Sequence, residues 1–416
     1  MTDESTMTVG AEAAETSGAE AAGARGAKAS EAEASEAEAG GLSWVGQVTP
    51  ADTRSIEAGL QELWRTAEAG EVGGPLVRAA SMTLIVPVQD EAAADSLAPI
   101  LEDLAGTHPS RVVLIILDED ESEPHARLSS HSGRPGDGES VRYWEEIRLV
   151  APRRAIHQIM SAVSTLVLPS LPVQCWWPVE PSFDDDLYNH VAEIGDRIVL
   201  DSSGFAEPTR AIPLLSAGIE ATHETVAFGD LSWTRLTPWR LLAAEFFDTP
   251  ADQGLLDSVQ KVRVEFATSL GGESAQALLF VGWLASRLGW EERRHQAAGG
   301  GGWRIELVDG VRPVQVEIVR APTGRRDGQQ LTEPGIRSIT IEAVEQDRRV
   351  TYSIERVRDD EAKATRADGD RRERFERMPS QDELDILRDE LGGFSTDRIY
   401  QESLAVVAKL FGAGSP

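Results

Sequence analysis

The chain has one cysteine, Cys175, in 416 residues, so no internal disulfide can form. No uninterrupted apolar run reaches the ~18 residues needed to span a bilayer. Basic side chains are scarce, with 40 Lys and Arg against 70 Asp and Glu and a formal net charge of -30. That balance opposes binding to a nucleic-acid backbone or an anionic membrane surface. The start of the chain carries no basic stretch followed by an apolar one, so no secretory signal is expected. Together these absences point to a reducing, cytoplasmic setting, with no nucleic-acid and no membrane partner.

Catalytic and cofactor signatures are missing as well. Neither glycine-rich stretch, at 133–138 or at 299–302, both follows a strand and opens a helix, as a phosphate-cradling loop must. No Walker or dinucleotide motif occurs. Ser202 and Ser203 follow a strand but lack the glycine spacing of a nucleophile elbow, which leaves capping as their role. The seven histidines show no metal-ligand spacing with one another or with Cys175. His157 and His190 read as surface residues. We therefore expect no catalytic residue, no cofactor and no metal.

The length allows two domains and an appendage. Residues 1–41 are almost entirely Ala, Glu, Gly, Ser and Thr, with nine acids, two bases and no aromatic residue. Such a segment buries too little apolar area to offset its ordering entropy, so a disordered acidic tail is expected. A helix over about 50–69 is predicted from Ile56, Leu60, Leu63 and Trp64. Strands follow at Met82 to Val88 and Val112 to Leu117, separated by a helix through Leu97, Ile100, Leu101 and Leu104. Residues 119–140 read as a long loop before a strand at Val141 to Val150, and Pro152 opens a helix. Residues 171–205 then form strand, helix and strand, with continuous apolar runs at both ends and Asp184, Asp185 and Asp186 in the first helical turn. The expected fold of 42–220 is an α/β domain with an open, mainly parallel sheet covered by helices.

The second half alternates. Val262, Val264 and Phe266 are interleaved with Lys261, Arg263 and Glu265, and the same pattern recurs around Ile305, Val316, Ile341 and Tyr352. Alternation implies half-exposed antiparallel strands. A helix over 274–288 is apolar on most sides and should be buried against this sheet, while 359–377 reads as a solvated linker. Two helices close the chain. Residues 221–416 are thus expected to form an α+β domain with an antiparallel sheet, the boundary falling between 211 and 230.

Two candidate sites emerge. The carboxyl ends of the parallel strands should bring together 118–121, 176–180 and 201–203 in an acidic rim. That rim reads either as a site for Mg²⁺ or a polar ligand, or as helix capping with Ser182 at an N-cap. As a ligand site it would make the chain a sugar-phosphate or nucleotide sensor or enzyme. The second is GDLSWTRLTPWRLLAAEFFD (229–248), where Thr237 reads as an N-cap, Pro238 as the first helical residue and Trp239 as part of an apolar stripe. Trp233, Arg235 and Arg240 read either as interface residues or as a joint between the domains.

This segment and LPVQCWWPVEPSFDDDLYNHVAEIGDRIVLDSSGF (171–205) together resemble the OpcA family, the glucose-6-phosphate dehydrogenase assembly proteins. The resemblance runs from about residue 81 to the C-terminus. It implies a non-catalytic partner that binds glucose-6-phosphate dehydrogenase, promotes its assembly, raises its activity and so controls flow into the oxidative pentose phosphate pathway. The matching motif positions Trp176, Trp177, Trp233, Arg235, Trp239 and Arg240 are the candidate partner-binding residues. Some photosynthetic members are associated with thiol control of the dehydrogenase; with Cys175 alone, this chain has no internal disulfide switch.

Overall fold

The computed structural model describes residues 43–46, 48–70, 77–78, 80–132, 142–222, 225–268, 272–321, 334–378 and 382–412. The tail at 1–41 and the glycine-rich stretch at 133–138 lie outside them, whereas the stretch at 299–302 forms a tight turn between two antiparallel strands. Among the described residues, no helix is long and apolar enough to cross a membrane.

In chain order the first half contains β1 (Ser43–Val45), β2 (Thr49–Pro50), α1 (Thr53–Gly70), β3 (Val77–Arg78), β4 (Met82–Val88), α2 (Glu91–Thr107), β5 (Ser110–Leu117), β6 (His125–Ser132) and β7 (Arg142–Ala151). There follow α3 (Ile156–Leu166), β8 (Val173–Trp177), α4 (Asp186–Ile194), β9 (Arg197–Leu200), α5 (Pro208–Thr222) and β10 (Ala227–Asp230). They build one sheet in the order β1-β6-β7-β5-β4-β8-β9-β10. From β7 to β10 every neighbouring pair is parallel. Counted from β4 along the chain, these six strands lie in the order 3-2-1-4-5-6, that of doubly wound dinucleotide-binding sheets.

Burial on both faces explains the continuous apolar strands. Leu84 and Val86 of β4, with Val112, Leu114 and Ile116 of β5, pack with Leu101 and Leu104 of α2. Ile85, Val113 and Ile115 point the other way, into a core shared with Ile56 of α1, Ile159 and Val163 of α3 and Leu215 of α5. The α/β reading of this half therefore holds, including the parallel crossover β8-α4-β9.

Three local readings change. The 119–140 loop contains β6, antiparallel to β7. Its flanking prolines and glycines hid a strand whose only buried apolar residues are Ala126 and Leu128, beside the buried Ser129 and Ser130. The N-cap of α4 is Asp185, which accepts from the Leu187 N–H at 3.0 Å, rather than Ser182. Pro152 precedes a short 3₁₀ turn at Arg153–Ala155 instead of opening α3 itself.

The second half contains α6 (Leu231–Arg235), α7 (Thr237–Glu245), α8 (Pro250–Gln253), β11 (Val259–Ala267), α9 (Ala275–Leu288), β12 (Glu291–Ala298), β13 (Gly302–Asp309) and β14 (Arg312–Arg320). It continues with β15 (Gly335–Glu345), β16 (Arg348–Arg358), β17 (Glu361–Ala367), β18 (Arg371–Arg377), α10 (Glu383–Leu391) and α11 (Arg398–Phe411). The sheet order is β12-β13-β14-β11-β15-β16-β17-β18, antiparallel throughout except for β11 against β14. The 359–377 segment, expected as a linker, forms β17 and β18. β17 buries Ala362 and Ala364, while β18 is mostly exposed and is held by its backbone ladder to β17, and ion pairs such as Lys363 with Glu355 at 3.4 Å run across the outer strands. Helix α9 is buried on nearly every side, capped by Ser274 and ended by Gly289 at φ +67°, a conformation that favours glycine.

The last two helices return to the first half. Ile386, Leu387 and Leu391 of α10 pack with Met82, Leu84 and Trp176. Arg197 of β9 pairs with Glu390 and donates to the Ser395 carbonyl at 2.6 Å.

Candidate functional site

The paired tryptophans stand on adjacent positions of a strand, so they point to opposite faces. Trp176 is 1% exposed and packs with α2 and α10. Trp177, 5% exposed, joins the other core and tilts against Tyr188, ring centroids 5.6 Å apart.

The second motif forms the joint between the sheets. Trp233 is buried, donates its indole N–H to Asp397 Oδ2 at 2.8 Å and lies 5.5 Å from Tyr400. Arg240 covers it from outside, its Cζ 3.6 Å from the ring centroid, and burial pulls its guanidinium down to about 10. Trp239 is buried near Arg356. Leu236, not Thr237, occupies the N-cap of α7, and the Thr237 hydroxyl accepts from Arg240 at 3.0 Å.

Arg235 pairs with Asp201 at 2.6 Å, both side chains largely buried. Asp201 also accepts from the Ser203 N–H at 3.0 Å and the Ser232 hydroxyl at 2.9 Å. Burial pushes its carboxyl up, but Arg235 and Ser203 outweigh that and hold it below the usual range. Beside it, Asp230 accepts from the N–H groups of Ser202 at 3.1 Å and Ser232 at 2.9 Å, and from the Tyr400 hydroxyl at 3.0 Å. Burial first, and then Asp201, raise Asp230 to about 6. The Asp-Ser-Ser strand end is therefore a capping network tied to α6 and α11.

The expected rim is divided among separate tasks. Glu119 accepts from the Arg153 N–H at 3.1 Å and Glu180 from the Ala206 N–H at 3.0 Å, while Asp201 faces the second sheet. Among the described residues, no group of three or more His, Cys, Asp or Glu side chains is placed to hold a metal. At the switch point between β4 and β8 lies a crevice of about 290 Å³, lined by Gln89, Arg153, Trp177, Glu180 and Asp185. Where a dinucleotide sheet offers glycine N–H groups to pyrophosphate, this chain has Asp90, whose carboxylate accepts from the Ala93 N–H at 2.7 Å, followed by Glu91. Two carboxylates at that helix end repel a phosphate.

Other groupings had no signal in linear spacing. His157 Nδ1 lies 3.1 Å from His190 Nε2, and His190 Nδ1 lies 2.6 Å from the Asp186 carbonyl. The carbonyl can only accept, so His190 Nδ1 donates to it. A cavity of about 270 Å³ opens between the two sheets, lined by Asp201, Arg235, Glu273, Gln276, Gly335 and Glu383. Its residues come from five distant stretches of chain. Cys175 is fully buried and burial pushes its thiol far above the ordinary range, which removes thiolate reactivity.

Residues 101–217 match the family model of the glucose-6-phosphate dehydrogenase subunit N-terminal domain (OpcA_G6PD_assem), and 226–404 that of its C-terminal domain (OpcA_G6PD_C). Curated relatives include proteins of Synechocystis sp., 30% identical over 193 residues, and Nostoc punctiforme, 31% identical over 204 residues. Each is described as a candidate OxPP cycle protein OpcA. The alignments cover 46% and 48% of this chain but only 39% and 42% of the relatives' own length. Among solved structures, a dehydrogenase from Clostridium difficile aligns over 80% of this chain and 98% of its own, with 7% identity and a TM-score of 0.41. The WlbA dehydrogenase of Thermus thermophilus aligns over 80% and 96%, with 12% identity and a TM-score of 0.41.

Proposed function

Because the chain belongs to the OpcA family, we propose that it is a non-catalytic partner of glucose-6-phosphate dehydrogenase. It binds the enzyme, promotes its assembly, raises its activity and thereby controls flow into the oxidative pentose phosphate pathway. The observation that carries this reading is the pair of subunit-domain matches, in order, along most of the described chain. A carboxylate pair at the N-terminus of α2 and the capping of Ser203 by Asp201 agree with it.

An activating partner acts by binding an active state of the enzyme more tightly than an inactive one. Purified chain mixed with its cognate dehydrogenase should co-elute on size exclusion and alter KM for glucose 6-phosphate or kcat. The chain alone should oxidise no substrate. Separate elution with unchanged kinetics would sink the reading.

A further inference from the structure

The inter-sheet cavity contains a polar side chain that nothing in the described protein engages. Gln276, the second residue of α9, is 5% exposed and lines the cavity. Among the described residues its amide has no hydrogen-bond partner. Gly335, at φ +119°, leaves room for it: a Cβ there would lie 2.7 Å from Gln276 Oε1. The amide opens onto the cavity, and its hydrogen-bonding positions are available to a group that enters there.

The walls define the charge of that group. Asp201, Glu273 and Glu383 face one arginine, Arg235, leaving two negative charges in excess. Asp201 is held by Arg235, and Glu273 accepts from the Thr209 hydroxyl at 2.8 Å and the Trp303 indole at 3.0 Å. Glu383 makes no ion pair among the described residues. Its side chain stays exposed to solvent at the cavity, where partial desolvation and the nearby Asp201 raise its carboxyl against the opposing pull of Arg235. The N-terminus of α9 supplies about half a positive charge, too little to cancel the excess. Phosphates and carboxylates are disfavoured here.

We propose that this cavity receives an arginine or lysine side chain presented by the bound protein partner, with Glu383 as its counter-ion and Gln276 Oε1 as a second acceptor. A carboxylate beside an amide oxygen suits the several N–H donors of a guanidinium. The proposal rests on the partner reading above.

The full chain with its cognate dehydrogenase tests it. Glu383→Gln and Gln276→Leu should each weaken the complex about tenfold or more by biolayer interferometry, with melting temperatures close to wild type. Unchanged affinity in both overturns the placement of the cavity in the interface. A second arm needs no dehydrogenase. N-acetyl-arginine amide should raise the melting temperature, its neutral isostere N-acetyl-citrulline amide should not, and Glu383→Gln should abolish the effect. Equal stabilisation by the citrulline compound, or stabilisation by inorganic phosphate instead, overturns the cationic ligand. If wild-type chain fails to bind the dehydrogenase, the functional reading falls while the arginine arm still decides what the cavity takes.

Discussion

Trp176 and Trp177 are neighbours in sequence and lie in different cores, one on each face of the first sheet. Their shared conspicuousness in the sequence thus divides into two separate packing roles. Substituting either by alanine should cost about 3–5 kcal/mol of stability. Chemical denaturation of the two variants would measure it. A variant that kept its midpoint would show that its indole is not a core element.

Arg235 and Asp201 form a largely buried ion pair, so Arg235→Ala leaves a carboxylate without its charge partner. The expected loss is about 3 kcal/mol. Adding Asp201→Asn should recover much of it, because the unpaired charge disappears while a hydrogen-bond acceptor for Ser203 remains. The double-mutant cycle is the check, and simple additivity would argue against the pairing.

Asp230 carries a pH signature. Its folded value of about 6 lies above that of an unfolded aspartate near 3.9. The folded state therefore holds the proton longer than the unfolded one. Its favourable contribution is complete below about pH 4 and is lost as pH rises through about 6. Asp230→Asn removes this titration, so the variant should gain on wild type between pH 4 and 6 by on the order of 3 kcal/mol. Unfolding midpoints of both proteins across that range provide the comparison.

Gly195 ends α4 against β8, where a Cβ would meet Cys175 Sγ at 2.6 Å. Gly195→Ala should destabilise by about 1–3 kcal/mol, and Cys175→Ala should relieve most of the added cost. In the native protein Cys175 should ignore a thiol reagent that labels it rapidly after unfolding.

Legibility differed by segment for physical reasons. Strands buried on both faces, such as β4 and β5, announce themselves as unbroken apolar runs, and the sided strands β11 and β16 as alternation. β6, β12, β17 and β18 carry few apolar residues, since their cohesion is backbone pairing and cross-strand charge, which composition alone reads as loop or linker. Glu383, Gln276 and Asp201 share a cavity only because distant segments converge, so no spacing rule joins them. The clustered motif Trp233–Arg240 was visible. That Trp233 points inward depends on the return of Asp397 and Tyr400, more than 150 positions later.

That return sets a schedule for synthesis. The last strand of the first sheet ends at Asp230, yet α10, which covers the face bearing Leu84 and Trp176, begins at Glu383. About 150 residues separate them, roughly 10–30 s of translation at ordinary rates. A nascent chain therefore presents the part of that apolar face not covered by α2 to the cell for that interval, a target for chaperones that the finished protein no longer shows.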